Sequence, residues 1–384
     1  MRLQDDESRA TDAPKGQHIT ARGNAPGRLG QPDPALKRCH TTVSPRQGGD
    51  IFAGDTQGDA LGCPVAGFQP AIVSRVFCCL MLASSAFTSP AQEFAFTEQT
   101  DRLVITHAAK PVAHFVFKDD KILRPYFAHV HTPDGIQVTR KHPPVVGKDA
   151  VDHDTMHPGV WLAFGDISGN DFWRNKAVVR HERFTTAPAV EAGLLTFTTG
   201  SSLLATNGAK LATLTSRVVL SRVGEGFLLT WEAGFTPTAD GFYFGDQEEM
   251  GFGVRVATEL TEKKGGVITS SGGVTTAKAT WGKPANWCDY SGVLGERRVG
   301  IAVLAAPQNF RASWFHNRDY GLMVANPFGE NAFTKGAKSR VPVGKGGTFR
   351  LRFAAWIYSS AKDGLADVAG AWQIFQRTNP AIPP

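Results

Sequence analysis

The chain has 384 residues, 42% hydrophobic, 20% charged and 10% aromatic, with a formal net charge of +6. That length holds one large domain or two ordinary ones, and 41 Gly with 23 Pro suit a turn-rich β protein rather than low complexity. No apolar run reaches the roughly 18–20 residues of a membrane helix. The five cysteines form no CxxC pair, which excludes a zinc ribbon or a disulfide-stapled mini-fold. Lys and Arg are spread without a block, so nucleic acid is not an expected partner.

Residues 1–70 mix acid and base with Gly, Pro, Gln and Thr and show no hydrophobic period. Such a segment reads as a disordered tail or an over-extended reading frame. Residues 71–91 follow another pattern. Arg75 precedes the apolar run Val76–Ala83, and small residues end at Ser89-Pro90-Ala91. This predicts a signal peptide with translation starting near Ile72 or Val73, and an exported protein, periplasmic or extracellular, of residues 92–384. Cys288 is then the one remaining thiol, and we expect it to be structural.

From residue 94 onward the sequence predicts short strands separated by turn residues. Leu103–Thr106, Ala113–Phe117, Arg124–Val130, Val178–Phe184, Leu194–Thr199, Thr213–Arg222 and Phe227–Phe235 come first. Gly251–Thr258, Ala277–Trp281, Gly300–Ala305, Ser313–His316, Leu322–Ala325 and Thr348–Tyr358 follow. Asp134-Gly135 and Asn207-Gly208 are hairpin signals. Near the end Leu365, Val368, Trp372 and Phe375 recur at helical spacing after Asp363, a plausible N-cap. The expected fold is all-β: one domain, a large antiparallel β-sandwich with one C-terminal helix.

Three clusters break the apolar pattern. Between residues 140 and 175, His153 and His157 stand four apart, which puts both on one face in helix or strand. They can share a metal or shuttle a proton beside Asp152 or Asp154, and Trp161, Asp166, Asp171 and Trp173 follow as binding candidates. In the second cluster, period-2 counting puts Glu248 on the face of Met250, Phe252, Val254 and Val256, where partial desolvation suits a general acid. Glu249 and Arg255 share the other face with two glycines. In the third, Trp314, His316 and Arg318 alternate onto one strand face, beside Asp319 and ahead of Asn326. An aromatic, a titratable group and a rigid cation suit a polyol or carboxylate. Arg124 and Asp289 are further candidate binders. For each cluster the plain alternative is a solvated loop or an ordinary sheet face.

These segments carry a resemblance. Arg124-Pro125-Tyr126-Phe127, Asp152-His153 with His157-Pro158-Gly159-Val160-Trp161, and Gly165-Asp166 through Asn175 resemble the PmoA-like family, labelled methane oxygenase PmoA. So do Gln247–Gly251 with Arg255, Trp287–Gly292, His316–Gly321 and Asn326–Gly329. The resemblance runs over about residues 96–376, and it implies a mutarotase-like supersandwich among carbohydrate-processing proteins. Where the family pattern calls for adjacent histidines, this chain has Asp152-His153-Asp154-Thr155-Met156-His157.

Three readings remain open at this point. The first is acid/base chemistry on a saccharide or sugar derivative, with His153, His157, Glu248, Glu249 or His316 as proton carriers and a small molecule or glycan as ligand. The second is the metal-dependent oxygenase that the label implies, with His153 and His157 as ligands. The third is a non-catalytic carbohydrate-binding protein. No motif identifies a cofactor.

Overall fold

The structure is a computed structural model that describes residues 93–378 apart from residue 239. The expected extension over residues 1–70 and the signal segment over residues 71–91 lie outside the described residues. Two eight-stranded sheets face each other, and every neighbouring pair of strands in them is antiparallel. The first sheet has the order β1 (Phe94–Glu98), β2 (Arg102–His107), β3 (Lys110–Val116), β4 (Tyr126–Ala128), β5 (Val160–Phe164), β11 (Met250–Arg255), β16 (Leu322–Asn326), β15 (Trp314–Arg318). The second runs β12 (Val267–Ser270), β13 (Trp287–Leu294), β14 (Arg297–Ala305), β18 (Phe349–Ala361), β9 (Gly226–Pro237), β8 (Lys210–Val223), β7 (Leu194–Leu204), β6 (Val178–Glu191). A two-stranded ribbon pairs β10 (Phe242–Phe244) with β17 (Val341–Val343). The all-β sandwich expected from the sequence is therefore what the chain forms.

The period-2 pattern explains the core. Leu103 and Ile105 of β2, Phe115 of β3, and Phe252 and Val254 of β11 point inward and join one continuous apolar cluster with the inner residues of the second sheet. Aromatic rings lock the two layers together. Phe252 stacks on Phe353 of β18 at 5.6 Å, and Phe115 meets Phe197 of β7 at 4.8 Å. Burial of such a ring contributes about 2–3 kcal/mol. Strands β5, β11 and β16 are buried along their whole length, because loops 129–159 and 165–177 cover the outer face of the first sheet. That second contact comes from Tyr126, Trp161, Trp173, Leu322 and Val324.

Two expected elements are corrected. Ala277–Trp281 is not a strand. Residues Ala277–Thr280 form a short helix, α1, because Thr276 caps it with a hydrogen bond from the Ala279 amide and Glu262 accepts from the Ala277 amide. A second short helix, α2, spans Glu330–Thr334. The C-terminal helix α3 (Val368–Arg377) starts after Asp367, not Asp363. The Gly370 amide donates to the Asp367 carboxylate at 2.7 Å, while Leu365 is 95% exposed outside the helix. Gly364 closes a turn onto Ala361 and so keeps Asp363 out of the cap. Val368, Ala371 and Phe375 pack α3 on the outer face of the second sheet against Leu228, Trp356 and Tyr358. No helix among the described residues is long and apolar enough to cross a membrane.

Candidate functional site

Strand register sets the site on the outer face of the first sheet. Tyr126, Trp161, Gly253, Val324 and His316 fall in one row across β4, β5, β11, β16 and β15. With strands about 4.8 Å apart, Trp161 and His316 stand roughly 14 Å from each other along it. Polar side chains gather at the two ends of the row.

At the β15 end, Glu248 is the centre. Residues 245–249 are irregular and β11 begins only at Met250, so the period-2 count does not extend back to Glu248. Its carboxylate therefore does not join the inward apolar face as expected. It lies on the outer face, 31% exposed, where Arg318 Nη2 donates to Oε2 at 2.8 Å. His316 Nε2 faces the same oxygen at 3.5 Å. The backbone of Glu248 is pinned as well: its carbonyl accepts from His316 Nδ1 at 3.1 Å and from Asn326 Nδ2 at 3.1 Å. Asn326 also holds the Gln247 carbonyl and receives the Phe328 and Gly329 amides. It is fully buried, a positioning residue rather than a surface binder. Burial and then the Arg318 charge push the His316 imidazole down to about 4, so it is neutral at physiological pH.

Aromatic rings that the sequence reading passed over line this end. Arg318 stacks over Trp281 at 5.6 Å, and Phe333 of α2 touches Trp281, Trp314 and His316 at 5.4, 6.5 and 6.2 Å. A cleft of about 490 Å³ opens beside them, lined by Trp281, Arg318, Asp319, Lys278 and Glu262. Trp281 was hidden in the sequence because it ends a segment that reads as a strand. Asp319 pairs with Lys263 at 3.6 Å, not with Arg318.

At the β5 end the side chains close on one another. His157 stacks on Trp161 at 5.2 Å and 10°, and Trp161 meets Trp173 edge-on at 5.5 Å. All three are almost fully buried. Arg255, 1% exposed, donates two hydrogen bonds to Asp152 at 3.0 and 3.2 Å, stacks over Tyr320 at 4.4 Å and approaches His157 Nδ1 at 3.4 Å. Burial, then the Arg255 charge, hold His157 well below the usual histidine range. Partial burial acts to raise the Asp152 carboxyl, but hydrogen bonds from Arg255 and His153 leave it well below the usual carboxylate range. His153 is exposed and 5.0 Å from His157, ring to ring. The shared face expected from their spacing exists, yet no three His, Cys, Asp or Glu side chains among the described residues group to hold a metal.

The remaining candidates serve the scaffold. Arg124 and Arg140 spend their guanidinium groups on carbonyls of the covering loops: Arg124 on Met156, Phe172 and Trp173, Arg140 on Ala150, Asp152, His153 and His157. Asp166 accepts the Gly169 amide, and Asp171 accepts the Trp173 and Arg174 amides in its own turn. Arg174 bridges Asp171 and Glu249, which ties the two ends of the row together. Asp289 stands apart on the second sheet, where Tyr358 donates to it at 2.8 Å. Cys288 is buried and free beside Asn317 Nδ2 at 3.5 Å, and burial pushes its thiol up.

Fold and site together define a β-sandwich protein with a glutamate–histidine–arginine cluster on the outer face of one sheet, next to a cleft that Arg318 and Trp281 line. The chain belongs to a family of unknown function, DUF6807, whose model matches residues 102–373. This corrects the resemblance to the PmoA-like family, which no comparison bears out. Many of the residues that carried it, such as Arg124, Asp166, Asp171 and Asn326, hold turns and loops, and such residues report on scaffold geometry rather than on chemistry. The oxygenase reading loses the support of that label. The search of curated proteins finds no match.

Among solved structures the chain is similar to a galactose mutarotase-like protein from Lactobacillus casei, at 10% identity and TM-score 0.32, covering 69% of this chain and 100% of that one. It is also similar to an alpha-galactosidase from Lactobacillus brevis, at 9% and 0.31, covering 70% of this chain and 39% of that one. A galactose mutarotase related enzyme from Lactobacillus acidophilus follows at 13% and 0.26, covering 71% and 99%. At these TM-scores the likenesses carry no argument about this chain.

Proposed function

We propose that the protein is exported and acts on a saccharide or sugar derivative by acid/base chemistry at Glu248. One observation carries this reading: Glu248 Oε2 and His316 Nε2 face each other at 3.5 Å with nothing to share. A carbonyl can only accept, so His316 Nδ1 must carry the proton that reaches the Glu248 carbonyl. The neutral ring then turns a bare lone pair on Nε2 toward an ion-paired carboxylate. Nε2 is buried, so a ligand hydroxyl meets this pair through Glu248, to which it can donate its one proton.

Glu248 is the group within a ligand's reach. His316, 3% exposed and neutral, stands behind it as a proton acceptor. Arg318 balances charge, and the Trp281 cleft is within the size range of small-molecule sites. Indole faces suit the apolar face of a pyranose.

Glu248→Gln, assayed against a panel of glycans and keto sugars, is expected to keep binding while turnover falls by about 10²–10⁴. His316→Gln should do the same. Full activity in both variants would overturn the assignment. Binding by wild type without any turnover favours the carbohydrate-binding reading instead. Export is tested separately: the secreted protein should begin at Gln92 on N-terminal sequencing.

A further inference from the structure

Four histidines away from the Glu248 cluster meet on the outer face of the first sheet. His114 projects from β3, His129 and His131 follow β4, and His142 lies in the loop that continues to His157. The His114 and His129 rings touch at 5.1 Å, and His142 sits edge-on to Tyr126 at 5.4 Å. His129 hydrogen-bonds the His142 backbone, and His131 Nδ1 donates to the His129 carbonyl at 2.5 Å. The Nδ1 atoms of His114 and His142 are buried without a partner. The His114–His129 and Tyr126–His142 contacts tie β3 and β4 to the covering loop, and the two backbone hydrogen bonds knit the loop to itself.

Two residues before His142, Arg140 grips the far end of the same loop through four of its carbonyls. The loop roofs the Trp161–Trp173 nest and carries Asp152, His153 and His157. We propose that His114, His129, His131 and His142 form an acid-sensitive clasp that holds loop 141–159 on the sheet when neutral and releases it when protonated.

The charges around the clasp set the direction. Arg102 faces His114 and His129, and Arg140 faces His142, so an added proton meets cations already in place. Asp101 faces His114, while Asp119 and Asp154 face His142 and oppose the effect in part. Asp119 is engaged by the Tyr126 hydroxyl at 2.7 Å. Burial is the first cause that holds all four imidazoles below the ordinary value; neighbouring imidazoles add to it at His114, His131 and His142, while the backbone carbonyls that accept from His129 and His131 oppose it in part. No three of these groups are arranged to hold a metal.

Hydrogen exchange of full-length protein tests the clasp. After correction for intrinsic rates, peptides covering 141–159 should lose at least tenfold protection between pH 7.5 and pH 5, while β8 and β9 peptides keep theirs. In His114→Gln/His129→Gln/His142→Gln the loss should fall to less than half of the wild-type value, the remainder belonging to His157 in the same loop. Unchanged protection in wild type, or an undiminished loss in the variant, overturns the proposal. Should the triple variant not fold, NMR titration of the wild-type histidines decides. The four rings must titrate below the ordinary histidine range, with the loop amides moving at the same midpoint. Stoichiometric zinc or nickel bound at these rings would overturn it in favour of a metal site.

Discussion

Gly253 has no side chain because Trp161 occupies the space where one would stand. A Cβ built there comes 2.7 Å from two atoms of the indole, so Trp161 lies flat across β11 and offers His157 a surface to stack on. Gly253→Ala forces that ring to tilt or the strands to part. Overpacking of this kind costs about 1–3 kcal/mol, with His157 and Trp173 displaced along with the ring. The expected outcome is a lower thermal midpoint and an altered near-ultraviolet tryptophan spectrum. An unchanged spectrum would mean that the indole does not lie on Gly253. The same residue scale explains why burial divides the candidates. Trp161, Trp173, His157 and Arg255 are consumed by contacts among themselves, whereas Arg318 and Trp281 line the cleft and Glu248 beside them keeps 31% of its surface.

Among the elements, α3 offers the sharpest contrast between two nearby acids. Asp367 accepts the Gly370 amide and Asp363 does not touch the helix. Asp367→Ala should therefore cost about 1 kcal/mol, and Asp363→Ala close to nothing, by urea unfolding of the two variants side by side. Equal losses would return the helix start to Asp363. The strands were legible wherever one face is buried and the other wet, as in β2 and β8. Asp134-Gly135 and Asn207-Gly208 marked real turns, with Gly135 and Gly208 at φ 87° and 84°. Legibility failed where the pattern has no period. Residues 245–249 are irregular, so alternation put Glu248 on the wrong face, and α1, at four residues, is too short to show a helical period. Trp314, His316 and Arg318 were legible as one face because β15 is regular. Their partner across the chain was not, since a contact over some seventy residues has no local signature.

Taken as a whole, the molecule carries titrating groups with opposite effects on stability. A histidine held below its usual value favours the fold above about pH 6.5 and loses that support as pH falls. His157, His316 and the four clasp histidines all act in this direction. Asp289 acts the other way. Burial, which hydrogen bonds from Tyr358 and Ser291 only partly offset, raises its carboxyl from the usual 3.8 to about 6. Below pH 3.8 both folded and unfolded chains hold the proton, and there is no penalty. As pH rises toward 6 the unfolded chain ionises first, so stability is lost across that window and stays lost above it. The shift corresponds to about 2–3 kcal/mol. Asp289→Asn can still meet the Tyr358 hydroxyl and has no charge to bury. It should gain most of that amount at pH 7.5 and almost none at pH 4, in urea unfolding at both. Because the histidines titrate in wild type and variant alike, the difference between the two curves isolates Asp289. A difference independent of pH would show that its carboxyl titrates normally, and that the second sheet's outer face admits water beneath α3.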